Sequence, residues 1–344
     1  MRKILLTTTA LVAVGGVSAA SALDISGSYT FDYNDTSDTN VSGATASQNT
    51  NVSGTQFGSD AAIDFSGSTT ADNGLTFGGL IRIATDQTND NTATQTVAVE
   101  DQGIYVSGDF GYVMMGATDG VVDGMDNFMT SGSIVENGVA TSSDANMNLS
   151  SNVADNEAVG KVGYRSNNIQ GFQFGVSMED GGDNGSENDD LASWIVTYDV
   201  MGLATIGYAQ AKDPSASSDG ADTKMTQYGI RTSFAGATIQ LGMGSESTAG
   251  AGGQADTTKV DTRDFAVQYS LNDQAGVYFV DVISEEKAGT NIGDKLTGNT
   301  LGLSYTITPG VSALIEHNNA DFKDASVVNT ESRKNTYVGL SVTF

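Results

Sequence analysis

Groups able to do covalent chemistry are scarce in this chain. Histidine occurs once, at His317, and cysteine not at all. Neither a metal centre of several imidazoles nor a Cys-His nucleophile pair can therefore be assembled. A pair of carboxylates could in principle hydrolyse a glycoside, and His317 could activate a serine, but no motif supports either, so an enzyme is not expected. The run Asp180-Gly181-Gly182-Asp183-Asn184-Gly185-Ser186-Glu187-Asn188-Asp189-Asp190 offers the hard oxygen donors that calcium takes. Gly182 and Leu191 stand where an EF-hand loop needs ligands, and no nonapeptide repeat is present, so a solvated acidic loop competes with calcium binding. No other cofactor is expected.

The more telling pattern is electrostatic. Arg82, Lys161, Arg165 and Arg231 each sit in a segment of alternating polarity. A long patternless stretch, Ala117 to Asp155, carries Asp119, Asp123, Asp126, Glu136 and Asp144, together with apolar Met125, Phe128, Met129 and Ile134. Opposed across water, two such sets of charge create a transverse field that orients dipolar solutes and disfavours apolar ones. An exposed acidic loop and ordinary solvated charges are the alternatives.

Such an arrangement needs elements that hold the charges on one face, and the sequence supplies strands. In Asp24 to Tyr33, Ile25, Gly27, Tyr29, Phe31 and Tyr33 share one face while polar residues take the other. The pattern recurs at Leu75, Phe77, Gly79, Ile81 and Ile83, at Phe172, Phe174, Val176 and Met178, and at Leu301, Leu303, Tyr305 and Ile307. Strands are expected near 24–33, 58–68, 74–85, 95–107, 110–117, 157–166, 170–180 and 191–200. The others fall near 202–212, 223–235, 237–247, 260–271, 276–285, 299–308, 311–320 and 335–344, about 16 in all, and an even number suits a closed antiparallel barrel.

Connections alternate in length. Polar stretches such as Asn34 to Phe57, Gly181 to Asp190, Lys212 to Asp222, Ser247 to Lys259 and Ala320 to Arg333 follow odd strands. Tight turns such as Ala71-Asp72-Asn73-Gly74, Ala235-Gly236 and Thr308-Pro309-Gly310 follow even ones. Short turns at one end and long loops at the other are what a transmembrane barrel requires. The phase of each strand then aims the bases: Ala158, Gly160, Val162 and Tyr164 form an apolar face, so Lys161 and Arg165 point inward. Arg82 opposes Ile81 and Ile83, and Arg231 opposes Tyr228, Ile230 and Thr232, each with a local shift allowed. A base facing lipid at midplane would cost about 2–4 kcal/mol.

Composition agrees. Arg2 and Lys3, the apolar run Ile4 to Val17 and Ala20-Ser21-Ala22 read as a signal peptide over 1–22, leaving a barrel over 23–344. Loss of Arg2 and Lys3 leaves 13 of the 15 bases against 42 acids, a formal −29. Nucleic acid is excluded as a partner. After the leader no run approaches the ~18 apolar residues that a membrane helix needs. Two prolines argue against a Pro-rich linker, and without cysteine no disulfide can contribute.

Two stretches, Ala71-Asp72-Asn73-Gly74-Leu75-Thr76-Phe77-Gly78-Gly79-Leu80-Ile81-Arg82 and Gly108-Asp109-Phe110-Gly111-Tyr112-Val113-Met114-Met115-Gly116, resemble bacterial general porins of the alphaproteobacterial type. A third, Tyr164-Arg165-Ser166-Asn167-Asn168-Ile169-Gln170-Gly171-Phe172-Gln173-Phe174-Gly175, resembles the hairpin after that family's inward-folded third loop. The terminal Phe344, in phase with Val338, Leu340 and Val342, resembles the aromatic read by the outer-membrane assembly machinery, although Thr336 holds the position where such strands often carry another aromatic.

The resemblance implies an all-β transmembrane barrel in the outer membrane with its long third loop folded into the lumen. It also implies passive diffusion of small hydrophilic solutes and ions, homotrimers, and contact with the bilayer and lipopolysaccharide. The acidic charge suggests mild cation preference. Alternatives are a substrate-specific channel, with Tyr112 and Phe128 as aromatic candidates, and a secreted acidic surface protein without a pore.

Overall fold

The computed structural model describes residues 23–41, 54–86, 96–122, 160–179, 191–213, 223–250, 254–289, 291–325 and 329–344. Strands account for nearly all of them. In chain order they are β1 (Leu23–Val41), β2 (Gly54–Thr70), β3 (Thr76–Asp86), β4 (Thr96–Gly108), β5 (Gly111–Ala117), β6 (Gly160–Arg165), β7 (Phe172–Glu179) and β8 (Leu191–Val200). There follow β9 (Ala204–Asp213), β10 (Thr223–Phe234), β11 (Ala237–Gly250), β12 (Gln254–Ser270), β13 (Ala275–Ala288), β14 (Lys295–Thr308), β15 (Val311–Asp324) and β16 (Asn329–Thr343). Each pairs antiparallel with its neighbours, and β1 closes on β16 from Ser28 opposite Thr343 to Val41 opposite Thr330. Closure leaves no edge, so the wall satisfies its own backbone where no water can.

Register carries one phase around the whole circumference. Tyr29 faces Val342 on one side and Ala61 on the other; Ile63 faces Ile83, and Tyr208 faces Tyr228. This phase holds the exposed apolar side chains, among them Ile25, Phe31, Ile81, Val176, Leu241 and Leu301. The alternate phase holds buried polar ones, such as Asp32, Asn34, Lys161, Gln227, Glu316 and Asn335. A wall apolar outside and polar inside is the membrane-barrel pattern. Aromatic pairs mark both rims of the apolar band. Phe172 stacks on Tyr198 at 4.2 Å near the tight turns, and Trp194 meets Tyr208 at 5.0 Å towards the other end.

Ala235-Gly236 turns where the sequence places it, whereas Gln170-Gly171 falls inside the strand expected near 170–180, which begins at Phe172 instead. Ala235-Gly236, Met201-Gly202 and Gln170-Gly171 have positive φ at both central residues, as a two-residue type I′ turn requires. The opposite ends differ from expectation. β1 continues to Val41 and β2 starts at Gly54, so the expected Asn34 to Phe57 connection shrinks to 42–53. Ser247 to Lys259 shrinks to 251–253, and Ala320 to Arg333 to 325–328. Above the lipid both faces of a strand are wet, so alternation fades while backbone pairing continues. His317 lies within β15 on the outer phase, opposite Leu301 and Thr336.

Candidate pore and constriction

Period two aims the bases correctly. Arg82 pairs in register with Asp64 and Arg165 with Tyr112, while Arg231 stands between Thr205 and Gln240; all are on the lumenal phase. Lys161 is 5% exposed and faces Glu179. Arg82, Lys161 and Arg165 share the arc from β3 to β6. Arg231, on β10, lies four strands beyond it.

These bases do not stand alone on their wall. The Arg82 Nε donates to Glu100 Oε2 at 2.8 Å, and its Nη1 is 3.7 Å from Asp64 Oδ1. Lys161 Nζ lies 3.6 Å from Glu179 Oε2. Asp101, beside the irregularity where β4 shifts register against β3, feels both Arg82 and Lys161. The arc therefore interleaves charges of both signs. The carboxylates were legible by the phase argument that located the bases: Ile63 and Phe65 face out, so Asp64 faces in, and Met178 facing out turns Glu179 inward.

Arg165 has a different task. Its Nη2 donates to the Val121 carbonyl at 3.3 Å, and the Val121 N–H donates to Ser177 Oγ at 3.3 Å. After β5 the chain thus turns into the barrel. Val121 and Val122, at 5% and 3% exposure, pack on Ile195, Ala209 and Ala211 of β8 and β9, with Leu191 and Met225 alongside. Glycine on the wall makes room. A Cβ on Gly175 would come 3.0 Å from both the Val121 Cβ and the Ile195 Cγ2. Burial of two valines gives roughly 3–6 kcal/mol of driving force for keeping this segment inside. Asp119 belongs to the inturned segment and stays exposed, with interactions of its own. Asp123, Asp126 and Glu136 lie outside the described residues, as do Phe128 and the candidate calcium run Asp180 to Asp190.

Tyr112 points into the lumen and stacks on Tyr105 at 5.2 Å, its hydroxyl 3.2 Å from Met114 Sδ. On the far arc Asp32, Asp264, Glu286 and Glu316 are sheltered on the lumenal phase; Glu316 accepts from the Tyr278 hydroxyl. Arg333, which phase reading overlooked, is lumenal too. Of the 15 Lys and Arg, Arg2 and Lys3 precede the described residues and five are lumenal. The rest face outward, every one on β9 to β16: Lys212, Lys224, Lys259, Lys287, Lys295, Lys323 and Lys334 towards the long-connection end, and Arg263 in the middle of β12. Phe344 completes the wall. Its backbone exchanges hydrogen bonds with Gly27 at 2.8 and 3.0 Å, and its ring occupies the space a Gly27 side chain would need.

Comparison with known proteins agrees with this geometry. The fold is shared with a loop deletion mutant of OmpT, an outer membrane protein of Vibrio cholerae, at TM-score 0.69 and 16% identity over 95% of this chain and 100% of that one. It is shared with an anion-selective porin from Comamonas acidovorans at TM-score 0.67 and 16% identity, covering 94% of this chain and 100% of that one. Salmonella typhi OmpF, solved with daunomycin, gives TM-score 0.65 at 13% identity over 94% of this chain and 97% of that one. No curated protein matches the chain. A sequence profile described as Gram-negative porin matches residues 7–325. A closed barrel of 16 strands with a polar, charged lumen and a chain segment turned into it carries that family's profile over most of its length, and the protein belongs to the Gram-negative porin family.

Proposed function

We propose that this porin passes small hydrophilic solutes and ions through a water-filled lumen by passive diffusion, with mild cation preference. The observation that carries the preference is the pairing on the β3 to β6 arc. Arg82 and Lys161 are already matched by Asp64, Glu100 and Glu179, so the sheltered carboxylates of the far arc face no equal surplus of positive charge. Fold does not decide the sign, since a neighbour of the same fold is described as anion-selective; lumenal charge does. The narrowest passage lies where Arg82, Lys161 and Arg165 border the inturned segment with Asp119, and Asp123, Asp126 and Glu136 add acid along the same loop. Arg231 shapes the field from the other side.

The chain reaches the outer membrane by export, with 1–22 removed as a signal peptide and Phe344 read during assembly. It works as a homotrimer among lipopolysaccharide. A second reading, a solute-specific channel, is favoured by one feature, the lumenal Tyr105–Tyr112 pair, whose rings offer a sugar an aromatic surface. The deciding experiment is single-channel recording in planar bilayers under a salt gradient. Stepwise openings with a cation-side reversal potential that shrinks towards 1 M salt are expected. Openings that saturate with one sugar at low concentration would favour the second reading. Reversal on the anion side would sink the charge argument.

A further inference from the structure

Two outward charges lie deeper along the wall than the rest. Among the described residues, Arg263 on β12 and Asp281 on β13 are the outward base and the outward acid nearest the tight-turn ends of their strands. A strand rises about 3.4 Å per residue and tilts about 35–45°, which sets both roughly 15–20 Å above those ends, inside an apolar band about 25 Å tall. Their neighbours are those of such a band. Arg263 stands in register between Met243 and Ile283, and Asp281 lies between Phe279 and Ile283 along the outer face of β13. Met243, Phe265 and Phe279 are all exposed on that face.

Neither charge is matched within its own barrel. Arg263 opposes Ile283 and Asp281 opposes Phe265, so the two are diagonal neighbours, yet no ion pair joins them or ties either to another described group. Higher on the same two strands the pattern reverses: Lys259 lies 3.6 Å from Asp261, and Lys287 lies 2.6 Å from Glu285. Charges that water can reach are thus paired, while the two set among apolar side chains are not. A charge facing hydrocarbon is disfavoured unless something neutralises it.

We infer that β12 and β13 form a two-fold contact with a second copy of this chain, in which Arg263 pairs with Asp281 of the partner subunit and Asp281 pairs with Arg263 of the partner subunit. The occupant is chosen by charge complementarity and by depth. Two barrels inserted in the same direction are related by an axis along the membrane normal, and rotation about it keeps every residue at its own height. An axis just outside the wall between β12 and β13 sets β12 of one barrel against β13 of the other, base against acid at matching depth and twice over. An isologous contact uses one patch on both subunits, and a base and an acid on adjacent strands are what such a patch needs. Met243, Phe265, Phe279 and Leu301 surround the pairs with apolar side chains, as at the centre of a protein interface. A two-fold contact does not close a three-membered ring, so it comes in addition to the homotrimer and joins one trimer to the next. The inference rests on the outer-membrane placement and is independent of what crosses the pore.

The test is energy transfer between separately prepared samples. The chain has no cysteine, so Asp273→Cys in the turn between β12 and β13 accepts a single dye. Donor-labelled and acceptor-labelled preparations are reconstituted together in phosphatidylcholine vesicles over a range of protein-to-lipid ratios and compared with random mixing. Parent with parent should transfer above random. R263D with itself and D281R with itself set like charges together at both pairs and should associate at least about tenfold more weakly. R263D mixed with D281R restores base against acid at both pairs and should recover the parental transfer. A pair made within one barrel cannot be rescued by mixing, so recovery confined to the double variant R263D/D281R would overturn the assignment. So would random transfer in the parent, parental transfer in both single variants, or a loss confined to R263D, which would give that arginine to a lipid headgroup. Single-channel conductance verifies that each variant has inserted as a barrel. Should a reversed charge block insertion, R263Q and D281N serve instead: each alone leaves an unmatched charge at both pairs, and mixed they recover one pair of the two.

Discussion

Removing the Lys161 ammonium should destabilise the barrel far more than an exposed charge could, and removing Glu179 with it should restore much of the loss. The two side chains are 2% and 9% exposed, 3.6 Å apart and direct register partners on β6 and β7. Lys161→Met leaves the Glu179 carboxylate sheltered without its main counter-charge, and breaking a buried pair from one side costs about 3–5 kcal/mol. Glu179→Gln strands the ammonium at similar cost. Both groups make further interactions, so neither single loss measures the pair; the coupling in the double variant does. K161M/E179Q should fall short of the summed single losses by about 2 kcal/mol or more. Urea unfolding in detergent reads this directly through Trp194, the chain's one tryptophan, which sits on β8 beside β7 opposite Val176. With urea dependence of about 1–3 kcal/mol per molar, a loss of 3 kcal/mol moves the midpoint by about 1 M or more. Strictly additive losses would refute the reasoning, because they would mean that lumenal water solvates both charges and the pair is only a contact.

The remaining expectations concern the inturned segment and the seam. Val121→Ala removes two methyl groups from a sealed contact, about 1.6 kcal/mol, and Arg165→Ala removes a charged donor from the Val121 carbonyl, about 1.5–3 kcal/mol. Together they should raise the detached population of the segment by about two orders of magnitude or more, seen as larger and noisier single-channel steps; unchanged conductance would show that 118–122 does not narrow the pore. At the seam, Gly27→Val drives a side chain into the Phe344 ring and should slow folding into lipid vesicles, and Phe344→Ala should relieve it, so that G27V/F344A folds faster than G27V alone.

Much of this protein was legible because a membrane strand has to declare itself. Ile25, Tyr29 and Phe31 alternate with polar residues since one face meets lipid and the other water, and that necessity fixed the strand count, the fold class and the inward aim of Arg82, Lys161, Arg165 and Arg231. Turn chemistry at Ala235-Gly236 and its equivalents fixed which end is tight. Outer strand ends were not legible, because at Asp35 or Asp321 both faces are wet and no pattern of polarity survives, though pairing goes on.

What only the tertiary structure decided is height and partnership. Period two gives a face but no level along the barrel axis, so nothing in the sequence says that Lys161 meets Glu179, from a strand separated by the tight turn, or that Arg165 spends its guanidinium on the Val121 carbonyl instead of facing open water. Those outcomes depend on register, which is set jointly by every pair of strands around a closed wall, and on chain that returns into the lumen from outside the sheet. Composition alone determined that the protein is acidic and poor in catalytic groups; closure of the barrel decided which of its charges look at one another.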